Sequence, residues 1–190
     1  MILCLVWGMG GSFISLAMSR WIAKRSVGAT LIDGRTGNAD YDWVYNTVAR
    51  MAQQSNLPMP EVAVYDSPEV NAFATGPSKK RSLVAVSTGL LRNVDRRGVE
   101  GVLGHELAHI ANGDMVTMTL LQGVINAFVM FFARIAAFLV RQTLDSRIAG
   151  LVSFIVMIGF EIVFGILGSM ITAWYSRQRE FRADAGGAAL

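Results

Sequence analysis

At 190 residues the chain suffices for one modest domain, but 53% hydrophobic content and a mean hydropathy of +0.42 exceed what a soluble domain usually carries, so a bilayer is expected around part of it. The formal charge of +3 does not point to nucleic acid, because the basic residues gather beside apolar stretches instead of forming a patch interleaved with aromatics. A single cysteine, Cys4, excludes an internal disulfide, a Cys-rich zinc module and an iron–sulfur cluster, so any metal must rest on histidines and carboxylates.

In chain order, the first predicted membrane segment runs from Met1 to about Ala23. It has no small-residue cleavage site, which predicts an anchor and not a signal peptide, and a chain that starts inside an apolar run predicts further sequence before it. From Ser26 to Asp114 the character is that of a soluble domain. Ile32 to Asn38 (IDGRTGN) reads as turns, and Asp40 to Gln54 carries a helical pattern. Three short β-rich runs follow: Val62 to Tyr65, Ala72 to Thr75 and Leu83 to Ser87. Pro68 and a turn over Gly76 to Arg81 separate them, which predicts a small antiparallel sheet with a solvated hairpin at Lys79, Lys80 and Arg81. A helix is then predicted from an N-cap at Asp95 to about Ala111, ahead of Asn112-Gly113.

Two further apolar segments, Thr117 to Val140 and Ile148 to Tyr175, are each longer than the roughly 20 residues a spanning helix needs. The expected organisation is a membrane helix over residues 1–24, a soluble metal-binding domain over 26–116, a membrane hairpin over 117–175, and over 176–190 the start of a helix carrying a metal ligand. Arg20, Lys24, Arg25, Arg177, Arg179 and Arg182 flank the soluble face, whereas the loop between the last two segments holds only Arg141 and Arg147, offset by Asp145. By the positive-inside rule the soluble domain faces the cytoplasm. Arg134 and Glu161 are ionisable groups within apolar segments and so are functional candidates or mutual partners, although their depths differ by roughly 9 Å along the helices.

Gly104 to Ile110 reads GHELAHI, an HExxH motif on a predicted helix. The i, i+4 spacing puts His105 and His109 on one face, where they can share one metal with Glu106 beside the attacking water. The chain has two histidines and both fall in this motif. A catalytic zinc takes three protein ligands and leaves one position open, so the third ligand should be an acid. Glu161 and the Glu180/Asp184 pair are the candidates. His109 precedes the second membrane segment, and Glu180 follows the third, by only a few residues, which sets both near one level, whereas Glu161 lies roughly 28 Å from Glu180 along a continuous helix. Glu180 is therefore the expected ligand. Asp184, one turn later, is placed to accept the free ring N–H of His105 and fix its tautomer.

HELAHIANGD at His105 to Asp114, EFRADAG at Glu180 to Gly186 and NAFATG at Asn71 to Gly76 together resemble the HtpX-type membrane zinc proteases. The likeness extends to GGSFISLAMSRW at Gly10 to Trp21 and LVAVSTGLL at Leu83 to Leu91. It implies an α+β, mainly helical membrane protein with a small antiparallel sheet beside a zincin-like HExxH helix. One zinc per chain on His105, His109 and Glu180, with Glu106 as base, and quality control of unfolded membrane proteins at the cytoplasmic face of the bacterial inner membrane under stress are implied too. The family also has a membrane helix before the one that starts at Met1 and a soluble region after Leu190, where a donor to the oxyanion is expected.

Leu83, Val84, Ala85 and Val86, as an edge strand, could pair with an extended substrate, with Asn71 lining the same cleft. Two other readings compete. A protease cutting within the bilayer would use Glu161, but DRRGVEG before His105 is too charged for a spanning segment. A zinc-binding sensor or scaffold would not require Glu106.

Overall fold

The computed structural model describes residues 2–144 and 146–187. Met1, at the head of the first predicted span, Asp145, in the predicted hairpin loop, and residues 188–190, at the end of the last predicted segment, lie outside them. The elements are α1 (Ile2–Val27), β1 (Thr30–Ile32), α2 (Ala39–Gln54), β2 (Glu61–Tyr65), β3 (Ala72–Ser78), β4 (Arg81–Ser87), α3 (Thr88–Asn93), α4 (Arg96–Asn112), α5 (Asp114–Thr143) and α6 (Ser146–Gly187). They fall into two compact units, residues 1–15 with 118–177 and residues 16–117 with 178–190.

The second unit contains the sheet. Its strands run in the order β1-β2-β4-β3, with β1/β2 and β3/β4 antiparallel and β2/β4 parallel. The α+β class and the small sheet beside the HExxH helix stand, but the sheet is mixed and not wholly antiparallel. The reason is topological: the chain leaves β2, passes to the far edge as β3, and folds back as β4 into the place beside β2. Leu83, Val84, Ala85 and Val86 therefore lie on an inner strand and are fully buried, so the expectation that they form a substrate-pairing edge is corrected. The strand with a free edge beside α4 is β3. It also runs further than the sequence suggested, narrowing the hairpin turn to Lys79-Lys80. Gly76 makes that extension possible: its φ of +145° and the collision a Cβ would have with the Arg81 carbonyl admit only glycine at the register irregularity between Thr75 and Ser78. The three-residue β1 was not anticipated; it carries too few residues to show a period.

Helix α2 begins where Asn38 accepts from the N–H groups of Asp40 and Tyr41, with Asp40 and Asp42 in its first turn complementing the dipole. Its Val44, Val48 and Met51 pack on one face of the sheet against Val62, Val64, Val84 and Val86, together with Val99, Leu103, Leu107 and Ile110 of α4. The other sheet face, Ala63, Tyr65, Leu83 and Ala85, is covered by Ala23 and Val27 at the end of α1 and by Ala29 and Phe73. Arg20 and Lys24 of α1 both bind Glu61 at the start of β2, at 2.8 and 3.0 Å.

In the first unit, α1, α5 and α6 are each long and apolar enough to cross a membrane. Gly8 of α1 lies against the backbone of Ala127 on α5, and Gly168 of α6 lies against Ile125, close approaches that small residues allow between helices in lipid. Arg134 donates to the Cys4 thiol at 3.0 Å, and Glu161 lines a different cavity. The pairing considered for these two charges is not made among the described residues, in keeping with their difference in depth along the helices.

Candidate metal centre

Helix α4 is bounded by Asp95, which accepts the Gly98 N–H at 2.8 Å, and by Gly113 in the left-handed conformation at φ +71°. Its buried stripe of Val99, Leu103, Leu107 and Ile110 leaves His105 and His109 on the other side of the helix, with Glu106 at the margin of the stripe, and all three line one pocket with Phe73 and Ala74 of β3 and Arg179 and Glu180 of α6. The motif's small residues have a packing role as well. Gly104 faces Gly187 of α6, a Cβ on Gly187 would come 2.8 Å from the His105 main-chain nitrogen, and Gly186 lies against Ala108. The α6 end can thus lie directly on the motif helix, which brings Glu180 and Asp184 to the histidines.

Three side-chain atoms converge. His105 Nε2 and His109 Nε2 are 3.1 Å apart, and Glu180 Oε2 is 3.2 Å from the first and 3.5 Å from the second. A tetrahedral zinc with ligands at 2.0–2.1 Å has ligand-to-ligand edges of about 3.3 Å, so this donor set fits such an ion in both spacing and chemistry. Among the described residues this is the group of His, Cys, Asp and Glu with that geometry, and Glu161 is not part of it.

Each imidazole is held from behind. His105 Nδ1 lies 2.8 Å from Asp184 Oδ1, the pairing the sequence suggested. His109 Nδ1 lies 2.7 Å from Asp114 Oδ2, which the sequence reading missed. Asp114 is 2% exposed, so its carboxylate makes this contact shielded from solvent. The available signal was its position directly after Gly113: a left-handed residue folds the chain back over the last turn of α4, where His109 sits. With Nδ1–H given to a carboxylate, Nε2 of each ring keeps its lone pair directed at the shared point. Glu180 is oriented similarly by Arg179, whose Nε and terminal nitrogen both reach Oε1, at 3.1 and 2.8 Å, and leave Oε2 toward the histidines. Replacing Asp114 by Ala is expected to weaken metal binding by roughly 10- to 100-fold, as loss of such outer partners does. Competition with a chromophoric chelator would measure this, and wild-type affinity in the variant would remove Asp114 from the site.

Glu106 is half-buried beside the two rings. Burial raises its pKa above the ordinary carboxyl value, against the pull of His109 and His105 and a hydrogen bond from the Ala74 main chain. A carboxyl moved in that direction and set next to the convergent atoms is suited to taking up and returning a proton. The surrounding pocket is lined by Phe73 and Ala74 of β3, Asp114, Met115 and Arg179 together with the motif residues. Asn71 is not among them; it stands at the head of β3, where its backbone exchanges hydrogen bonds with Ser87.

The comparisons with known proteins cover this whole arrangement. The model of peptidase family M48 matches residues 38–190. Protease HtpX of Idiomarina loihiensis is 56% identical over 191 residues, covering 100% of this chain and 66% of that protein. Protease HtpX of Hydrogenovibrio crunogenus is 59% identical over 186 residues, covering 96% of this chain and 62% of that protein. The chain spans about two thirds of the length of these curated relatives. The crystal structure of S. mikatae Ste24p matches the fold with a TM-score of 0.71 at 15% identity, over 97% of this chain and 47% of that one. With a family match that takes in the HExxH helix, the edge strand and the α6 end alike, and with identity above one half to two such proteases, the chain belongs to peptidase family M48.

Proposed function

We propose that the chain carries the metal centre of a membrane-bound zinc metalloendopeptidase, with His105, His109 and Glu180 holding one zinc and Glu106 acting as base. The observation that carries this reading is the convergence of two imidazole nitrogens and one carboxylate oxygen within 3.5 Å of one another, with a carboxyl of raised pKa alongside. Zinc, when bound there, supplies the positive centre that polarises a water molecule and the scissile carbonyl. Glu106 accepts the proton of the attacking water and delivers it to the departing amine. Asp184 and Asp114 keep the imidazoles in register, and Arg179 keeps Glu180 turned inward. The free edge of β3 beside Glu106 suits an extended substrate, whose main chain would add as a further strand and so be held with little regard to sequence.

The substrates we assign are unfolded or damaged membrane proteins, cleaved at the cytoplasmic face of a bacterial plasma membrane. Three apolar helices and the excess of Lys and Arg beside the soluble segments support that placement. In this reading residues 1–24 and 117–175 lie in the membrane, 26–116 form the cytoplasmic catalytic domain, and 176–190 supply the third ligand. Identity to proteins called Protease HtpX supports it further.

Hydrolysis of an unfolded protein such as casein by the purified protein should stop on treatment with a chelator and return on addition of one equivalent of zinc. A protein that holds zinc without hydrolysing such substrates would instead be a metal-binding sensor.

A further inference from the structure

The metal centre leaves one conspicuous group unused. Glu161 sits near the middle of the apolar run 148–175 of α6, roughly 20 Å from either end at about 1.5 Å per residue. It is exposed and makes no hydrogen bond or ion pair among the described residues. A carboxyl group at that depth is costly, and side chains of its kind in membrane segments mark places where another polar or charged group comes to meet them.

Its surroundings are suited to such a meeting. Glu161 opens into a cavity of about 850 Å³ bounded by α1, α5 and α6, all within the membrane unit. Ser12 and Ser15 of α1 and Gln122 and Asn126 of α5 line it from the other sides, so hydroxyls and amides accompany the carboxyl there. Gln122 donates to Asn126 at 2.8 Å, which holds the amide pair in place. Gly11 and Gly165 form parts of the walls, and a Cβ on either would meet nothing within 4 Å, so the flanks are both smooth and open. Small residues of this sort permit a helix to approach closely in lipid, where packing and polar contacts, not water exclusion, hold helices together.

We infer that the cavity beside Glu161 is a docking site for a membrane-spanning helix of another protein that carries a basic side chain near its midpoint. The cation meets the Glu161 carboxyl, the rest of its polar surface meets Gln122 and Asn126, and the helix lies against Gly11 and Gly165. A lysine or arginine in mid-bilayer is costly until it is paired, so a segment whose basic residue has no partner gains most from meeting Glu161, and the site would select helices by the charge they fail to bury. The inference does not draw on the metal centre, and it is read as binding without turnover.

The test uses the chain reconstituted in phosphatidylcholine vesicles and two dansyl-labelled, leucine-rich spanning peptides that differ only in one central Lys or Leu. Transfer from tryptophan, which includes Trp7 of the cavity lining, reports association. The Lys peptide should bind about ten-fold more tightly than the Leu peptide, a modest part of what a mid-bilayer cation costs, and Glu161→Gln should erase that difference while zinc binding stays as in wild type. Equal binding of the two peptides to wild type, or a preference that survives Glu161→Gln, overturns the proposal. So does a cavity that binds neither peptide, as it would if a second copy of the chain or another segment of the same protein filled it.

Discussion

Glu106→Gln is expected to lower kcat/KM for peptide hydrolysis by about 10²- to 10⁴-fold while leaving one zinc bound per chain, because the amide matches the carboxylate in shape but cannot accept the proton. The separation of these two readouts follows from the geometry. The convergent atoms belong to His105, His109 and Glu180, and Glu106 is not one of them. The substitution should also be gentle on the fold. Glu106 lines the pocket with the histidines and is not part of the buried cluster that holds Leu103 and Leu107, and an amide in its place still accepts the hydrogen bond that the Ala74 main chain gives. Hydrolysis assayed beside metal content checks the prediction, and an active Glu106→Gln protein would remove the base from the proposed mechanism.

The second large effect concerns the proposed third ligand. Glu180→Ala should weaken zinc binding by more than the roughly 10- to 100-fold expected for an outer partner such as Asp114, because it deletes a donor atom itself, whereas Glu161→Ala should leave zinc stoichiometry unchanged. The contrast is informative because the two acids lie on the same helix. Glu180 Oε2 stands 3.2 and 3.5 Å from the two ring nitrogens, and Glu161 faces a cavity in the other unit. Zinc titration of the purified variants distinguishes the outcomes. Loss of metal on Glu161→Ala would move the chemistry into the bilayer and bring back the reading as an intramembrane protease. With Glu180→Ala the removed carboxylate also frees Arg179, which then stands beside the histidines as a cation and further opposes binding of a positive ion.

Several of these features were legible in the sequence because they depend on local periodicity. The i, i+4 spacing of His105 and His109, the Asp95 cap, the three apolar segments and the one-turn interval from Glu180 to Asp184 all follow from 3.6 residues per turn and 1.5 Å per residue. Counting helix rise was enough to favour Glu180 over Glu161, since an unbroken helix acts as a ruler. Even the pairing of Asp184 with His105 could be anticipated this way.

The features that required the tertiary structure are those set by which element lies beside which. Leu83 to Val86 have the β-branched, apolar composition of a strand, but composition does not tell an inner strand from an edge, and only the return of the chain through β3 places them at the centre of the sheet. The same insertion gives β3, and not β4, the free edge beside Glu106. Asp114 reads as an ordinary acid at the start of an apolar segment until the left-handed Gly113 folds it against His109. Gly104 reads as an interruption in a helix until Gly187 is seen against it. Local sequence thus specified the candidate ligands and their spacing along each helix, because backbone geometry repeats. The partners that orient those ligands come from chain reversals and close helix crossings, which couple residues far apart in sequence, and only the folded chain assembles them.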